Sequence, residues 1–159
     1  MKTEKKKEFI ARISQANRSQ LTVIIFDVIL DELKEAVVAA DEGRNDDMLD
    51  SMKMAQRFVE ELIASLDHKY AIANELRPIY LFVNKEIIYS IITRSTERLP
   101  KVGELMESLR DSFEQVSHSD FSEPLMQNTQ KIYAGLTYGK GQLNETAIDA
   151  HQSDRGFLV

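Results

Sequence analysis

The chain has 159 residues, enough for one domain with a core of its own. Hydrophobic residues make up 43% and charged residues 29%, which argues against a disordered chain, and the net charge of −6 argues against a nucleic-acid surface over the whole molecule. With no cysteine, disulfides, thiolate catalysis and cysteine-based zinc sites are excluded as well.

The N-terminus carries Lys2, Lys5, Lys6 and Lys7 with no apolar stretch behind them. It reads as a solvated, loosely helical start rather than a signal peptide. No apolar run approaches the roughly 18 residues of a membrane span, so the expectation is a cytoplasmic protein. The first strong element runs from Leu21 to Glu42. Its apolar residues recur at positions 21, 25, 28, 29, 33, 36, 37 and 40, which is helical spacing. Val23, Ile24, Phe26 and Leu30 add a second apolar band. Only Asp27, Asp31, Lys34 and Glu35 are left to mark a wet face. Asn17 or Ser19 can cap the helix, and Gly43 suits the left-handed residue that ends it.

Asn45, Asp46 and Asp47 offer a cap and negative charge to a second helix, which ends near Asp67 and His68. Its stripe is Met48, Met52, Ala55, Val59, Leu62, Ile63 and Leu66, with Lys53, Arg57, Glu60 and Glu61 opposite. A third helix runs from near Tyr70 to about Glu97, with Ile72, Leu76, Ile79, Val83 and Ile87 as its core stripe. Pro78 falls inside it and is expected to kink it. Leu81, Phe82, Ile88, Tyr89 and Ile92 point away from that stripe. Pro100 opens a fourth helix through Val102, Leu105, Met106, Leu109, Phe113 and Val116, fading at Ser117 to Ser119.

Past Ser119 the composition turns polar. A short helix from Asp120 or Ser122 through Leu125, Met126, Ile132 and Tyr133 is expected, then extended or disordered chain. Nothing resembles a strand. The elements predict an all-α fold: an antiparallel up-down four-helix bundle at 13–118 with an N-terminal extension, then a partly ordered C-terminal tail at 119–159.

Chemistry is absent from the pattern. His68, His118 and His151 sit at helix ends or in the tail, and none belongs to a Glu-x-x-His pair. Asp46, Asp47 and Asp50 lack the glycine and the terminal glutamate of a calcium loop, and Gly139-Lys140-Gly141 follows no strand. No serine has a recognisable base. No metal, cofactor or enzymatic activity is expected.

What remains is surplus apolar surface. Full burial of a Leu, Ile or Phe contributes about 1.5–3 kcal/mol, so the outward residues of the third helix, left wet, forgo roughly 10 kcal/mol. That rivals the whole stability of a typical domain. Broader helix packing, the chain's own tail or a partner are the three candidate covers.

The run Ile13–Ala36, ISQANRSQLTVIIFDVILDELKEA, resembles the opening of the flagellar secretion chaperones of the FliS type, with Phe26 before Asp27 where that family usually has tyrosine. Lys53-Met54-Ala55-Gln56 with Glu61-Leu62 resembles the second-helix signature, and Leu76–Ile87, LRPIYLFVNKEI, the third, with Tyr80 and Phe82 as its aromatics. Leu105–Phe113, LMESLRDSF, resembles the end of the fourth, with Phe113 where tryptophan is common. Pro78, the lysine-rich start and the long tail depart from the family pattern.

The resemblance implies a cytosolic export chaperone that binds the C-terminal segment of flagellin and works with the flagellar export apparatus. On that implication the contact residues are Phe26, Leu30, Tyr80, Phe82, Ile88, Tyr89 and Ile92, while Tyr133, Leu136, Tyr138 and Phe157 of the tail could occupy the same groove in cis. The alternative is a structural protein, a homodimer or larger homo-oligomer that buries that surface against itself.

Overall fold

A computed structural model describes residues 3–126. It contains five α-helices: α1 (Thr3–Gln15), α2 (Arg18–Asp41), α3 (Asn45–Ala64), α4 (Ala71–Thr93) and α5 (Leu99–Ser117). No strand occurs among the described residues. The all-α class is as expected, with one helix more. The lysine-rich start is a full helix rather than a loose extension. Phe9, Ile10 and Ile13 give α1 a half-buried side. Ion pairs from Lys5 to Asp31 and from Arg12 to Asp27 then hold it on α2. The hydrogen bond to Asp31, with Glu35 and Glu32 near, raises the Lys5 pKa above its ordinary value.

Local chemistry sets the helix ends. The Asn17 side chain accepts the Gln20 N–H at 2.9 Å, and the Gln20 side chain accepts the Asn17 N–H at 3.0 Å, a reciprocal capping box. Gly43, at φ 73°, ends α2 in the left-handed region that glycine tolerates best. At α3 the cap differs from expectation. Arg44 holds the N-cap position without a capping bond from its side chain, which instead bonds Glu42, Asp47 and Glu35, while Asp46 and Asp47 lie in the first turn, where the positive helix end favours them. α4 runs unbroken through an exposed Pro78 and ends at Arg94, which is itself left-handed at φ 51°.

The connectors are short, so helices adjacent in sequence pack together. α2 packs on α3 and α5, α3 on α4, α4 on α5, and α1 lies on α2. Phe26, at the centre, has its ring 6.2 Å from Tyr80 and 5.3 Å from Phe113. Enclosed by α1, α3 and α5, α2 buries its second apolar band too: Val23, Ile24, Phe26 and Leu30 are all covered. The spare flank expected on this helix is therefore largely sealed by the chain itself.

The register of α4 differs by a residue at two places. Its buried positions are Ala73, Leu76, Tyr80, Val83, Ile87 and Ser90, alternating steps of three and four as in a heptad. Ile72 is 56% exposed and Ile79 is only half-buried. Isoleucine is more apolar than alanine or tyrosine, which favours Ile72 and Ile79 in a sequence reading, but the step pattern favours Ala73 and Tyr80.

After α5 the chain turns back to the joint between α1 and α2. The Asn17 amide donates to the Asp120 carbonyl at 2.9 Å, the Ser19 hydroxyl donates to the Asp120 carboxylate, and the Leu125 N–H donates to the Ala16 carbonyl at 3.0 Å. Residues 121–126 are not helical, contrary to expectation, because their polar groups bond to this joint and to the Asp120 turn. Tyr133, Leu136, Tyr138 and Phe157 lie outside the described residues.

Hydrogen bonds from Ser122 and then Ser19 pull the Asp120 carboxyl from its ordinary 3.8 down to about 2. A carboxyl depressed by folding stabilises the fold above its ordinary pKa and ceases to do so as pH falls through the folded value. Asp120→Asn is thus expected to lower the thermal unfolding midpoint at neutral pH, with the difference from the parent shrinking toward pH 2 and vanishing below it. A difference that persists there would show that the charge is not what secures the turn.

Candidate functional site

The outward side of α4 is apolar. At about 100° per residue, positions 81, 82, 85, 88, 89 and 92 share one side of the helix, and the buried positions 73, 76, 80, 83, 87 and 90 share the other. Leu81, Phe82 and Tyr89 are close to half exposed and Ile92 is 75% exposed. Ile88 is half-buried beside them, and Lys85 stands in their midst. From Leu81 to Ile92 the stripe runs about 16 Å at 1.5 Å per residue. One face of the Tyr89 ring is covered by the Arg98 guanidinium, 3.8 Å from its centroid, which Glu86 anchors at 2.9 Å. The bond to Glu86 raises the Arg98 pKa and holds the guanidinium over the ring, where a cation is attracted to the aromatic face.

A second apolar feature lies between α2 and α5. Leu30, Leu33, Val37, Val38, Leu99 and Gly103 line a trough of roughly 390 Å³. Beside it, Asp27 accepts from Arg12 at 2.5 Å and from Arg110 at 2.8 Å, while Arg110 also bonds Glu114. This knot ties α1, α2 and α5 together, and the bond to Asp27 is the first cause lifting the Arg110 pKa above the ordinary guanidinium range. Asp27, which the sequence places on a merely wet face, has a structural role. Among the described residues no group of His, Cys, Asp and Glu could hold a metal ion, and no helix is long and apolar enough to cross a membrane.

The family model described as flagellar protein FliS matches residues 1–120. The chain belongs to the FliS family. The match takes in all five helices and ends at Asp120, where the returning segment begins. It bears out the resemblance carried by the four helical signatures. No curated protein matches the chain.

In this FliS-family chain the residues expected to meet a partner divide in two. Phe82, Tyr89 and Ile92 are on the surface with Ile88 at its edge. Phe26 and Tyr80, 0% and 1% exposed, are core residues, and Leu30 at 8% is the floor of the α2–α5 trough. Phe26 is covered because α2 is enclosed on three sides, and Tyr80 because it faces inward on α4, so neither is on the surface, whereas Leu30 borders the trough. Burial also pushes the Tyr80 phenol pKa above its ordinary value. The trough went unnoticed in the sequence. Its one local signal is Gly103, a glycine inside a helix.

Proposed function

We propose that this chain is a cytoplasmic export chaperone that binds the C-terminal segment of flagellin, prevents its premature polymerisation and presents it to the flagellar export apparatus. The reading takes α2 to α5 as an antiparallel up-down bundle, the arrangement that short loops between packed helices produce. The observation that carries it is the outward stripe of α4. An amphipathic helix has one core side, and here the opposite side is apolar over about three turns. Such a face suits the apolar side of a client helix. Phe82, Ile88, Tyr89 and Ile92 are the contact residues, with Leu81 beside them. The mechanism involves no bond chemistry: a client whose apolar segment is covered cannot offer that segment to another flagellin.

Isothermal titration of the chain with the C-terminal segment of its cognate flagellin tests the reading. Heat of binding is expected, with amide chemical-shift changes centred on α4. No heat and no shifts would count against it. The same stripe would also serve a homodimer, since a two-fold interface joins one patch to its copy. Light scattering that gives a dimer mass, unchanged by flagellin, would favour that alternative.

A further inference from the structure

Two copies joined face to face through the α4 stripe meet an obstacle at Lys85. Leu81, Lys85, Ile88 and Ile92 advance by steps of four, three and four, the spacing of a coiled-coil seam, with Phe82 and Tyr89 along one flank. Lys85 thus holds a seam position, and it is exposed. Among the described residues it makes no ion pair or hydrogen bond. Glu86, next in the chain, is held by Arg98. An unpaired ammonium is tolerated in a wet seam. It becomes costly once a second helix covers it, because it loses hydration and gains nothing in return.

A second copy of α4 cannot supply that return. A two-fold axis lays the patch on itself. In a parallel pair Lys85 meets Lys85. In an antiparallel pair that uses the whole seam, Leu81 faces Ile92 and Lys85 faces Ile88, so the two lysines lie about 4.5 Å apart along the axis. Either way two ammonium groups share the dry centre of the interface. Besides Glu86, α4 carries one carboxylate, Glu75, seven positions before Phe82 and so on the same row. Setting Glu75 against Lys85 of the other copy slides the pair until Ile92 projects beyond Ala71, where α4 begins, and Ile88 faces Ile72, which lies off the stripe. That register gains a charge pair and loses the contacts of Ile88 and Ile92.

We propose that Lys85 selects what the stripe pairs with: it bars a second copy of this chain and favours a helix that sets a carboxylate against it, with apolar residues three and four positions to either side. The carboxylate turns a buried, unpaired charge into a charge-assisted hydrogen bond. Like charge brought against like is an effective way to reject a wrong partner, and here the wrong partner is the chain itself. The bar against self-pairing stands on this chain alone. The preference for an acidic client rests on the flagellin reading and adds a charge to it.

Light scattering on the full chain, without flagellin, tests the bar. Lys85→Leu completes the apolar seam and is expected to double the parent's mass. It should melt no earlier than the parent, because leucine and lysine are similar helix formers and the site is exposed. Lys85→Glu alone should keep the parent's mass. Mixed with an equal amount of parent it should give a species of twice that mass, since a glutamate on one copy then lies beside Lys85 of the other. If Lys85→Leu melts early, the mixture decides. Unchanged mass in both would overturn the bar, as would a parent dimer that Ile92→Glu splits. Calorimetry with a peptide of the cognate flagellin C-terminal segment tests the client's charge. Lys85→Glu is expected to bind it at least about tenfold more weakly. Full affinity there, alongside a loss in Ile92→Glu, would overturn the acidic client and leave the flagellin reading standing. No binding by the parent chain would sink that reading and the acidic client together, with the bar still judged by mass.

Discussion

Phe26→Ala is expected to destabilise the fold by about 3–5 kcal/mol, the range for deleting a buried aromatic ring. Phe26 is fully buried, and its ring contacts Tyr80 of α4 and Phe113 of α5. Three helices meet at this one side chain. Long helices cannot each bend to fill the void, so most of the cavity would persist. The loss is comparable to the total stability of many domains. Urea titration followed by circular dichroism reads it as a lowered midpoint at unchanged slope. A loss below about 1 kcal/mol would mean that the ring is not enclosed as described.

The same residue shows what the sequence could and could not reveal. That α2 is a helix is legible from its apolar spacing, and its ends from Asn17 and Gly43. Its surroundings are not legible, because an apolar flank reads the same whether a neighbouring helix or a partner covers it. α1 supplies part of that cover, yet its lysine-rich sequence reads only as a solvated, loosely helical start. The carboxylates that hold it, Asp27 and Asp31, belong to α2, and no local pattern links them to Arg12 and Lys5. Tyr80 and Phe82 pose a similar difficulty. They are two positions apart and so face directions about 160° apart on the helix, but their apolar character is alike. Ala73 and Ser90, small and unremarkable in sequence, complete the register that turns Tyr80 inward and Phe82 outward. The α2–α5 trough depends on the gap between two helices, which periodicity does not encode.

On α4, then, stability and binding separate onto opposite sides of one rod, and the second large effect follows from that. Phe82→Glu combined with Ile92→Glu is expected to leave the unfolding midpoint nearly unchanged, since both side chains are already well exposed and such surface changes fall within about 0.5 kcal/mol. Flagellin affinity should fall at least about a hundredfold. An apolar anchor at the centre of an interface is worth about 2 kcal/mol or more, some thirtyfold each, and a carboxylate forced into that contact adds its own desolvation penalty. Ile72→Glu is the control. Ile72 is 56% exposed on the same helix, but it lies about 180° round from Leu81, off the stripe. It should bind as the parent does. Calorimetry gives the affinities and thermal melts the stabilities. A double variant that folds and binds like the parent would move the client contact off α4. One that loses binding while Ile72→Glu keeps it would fix the contact to the side of the helix that the core does not use.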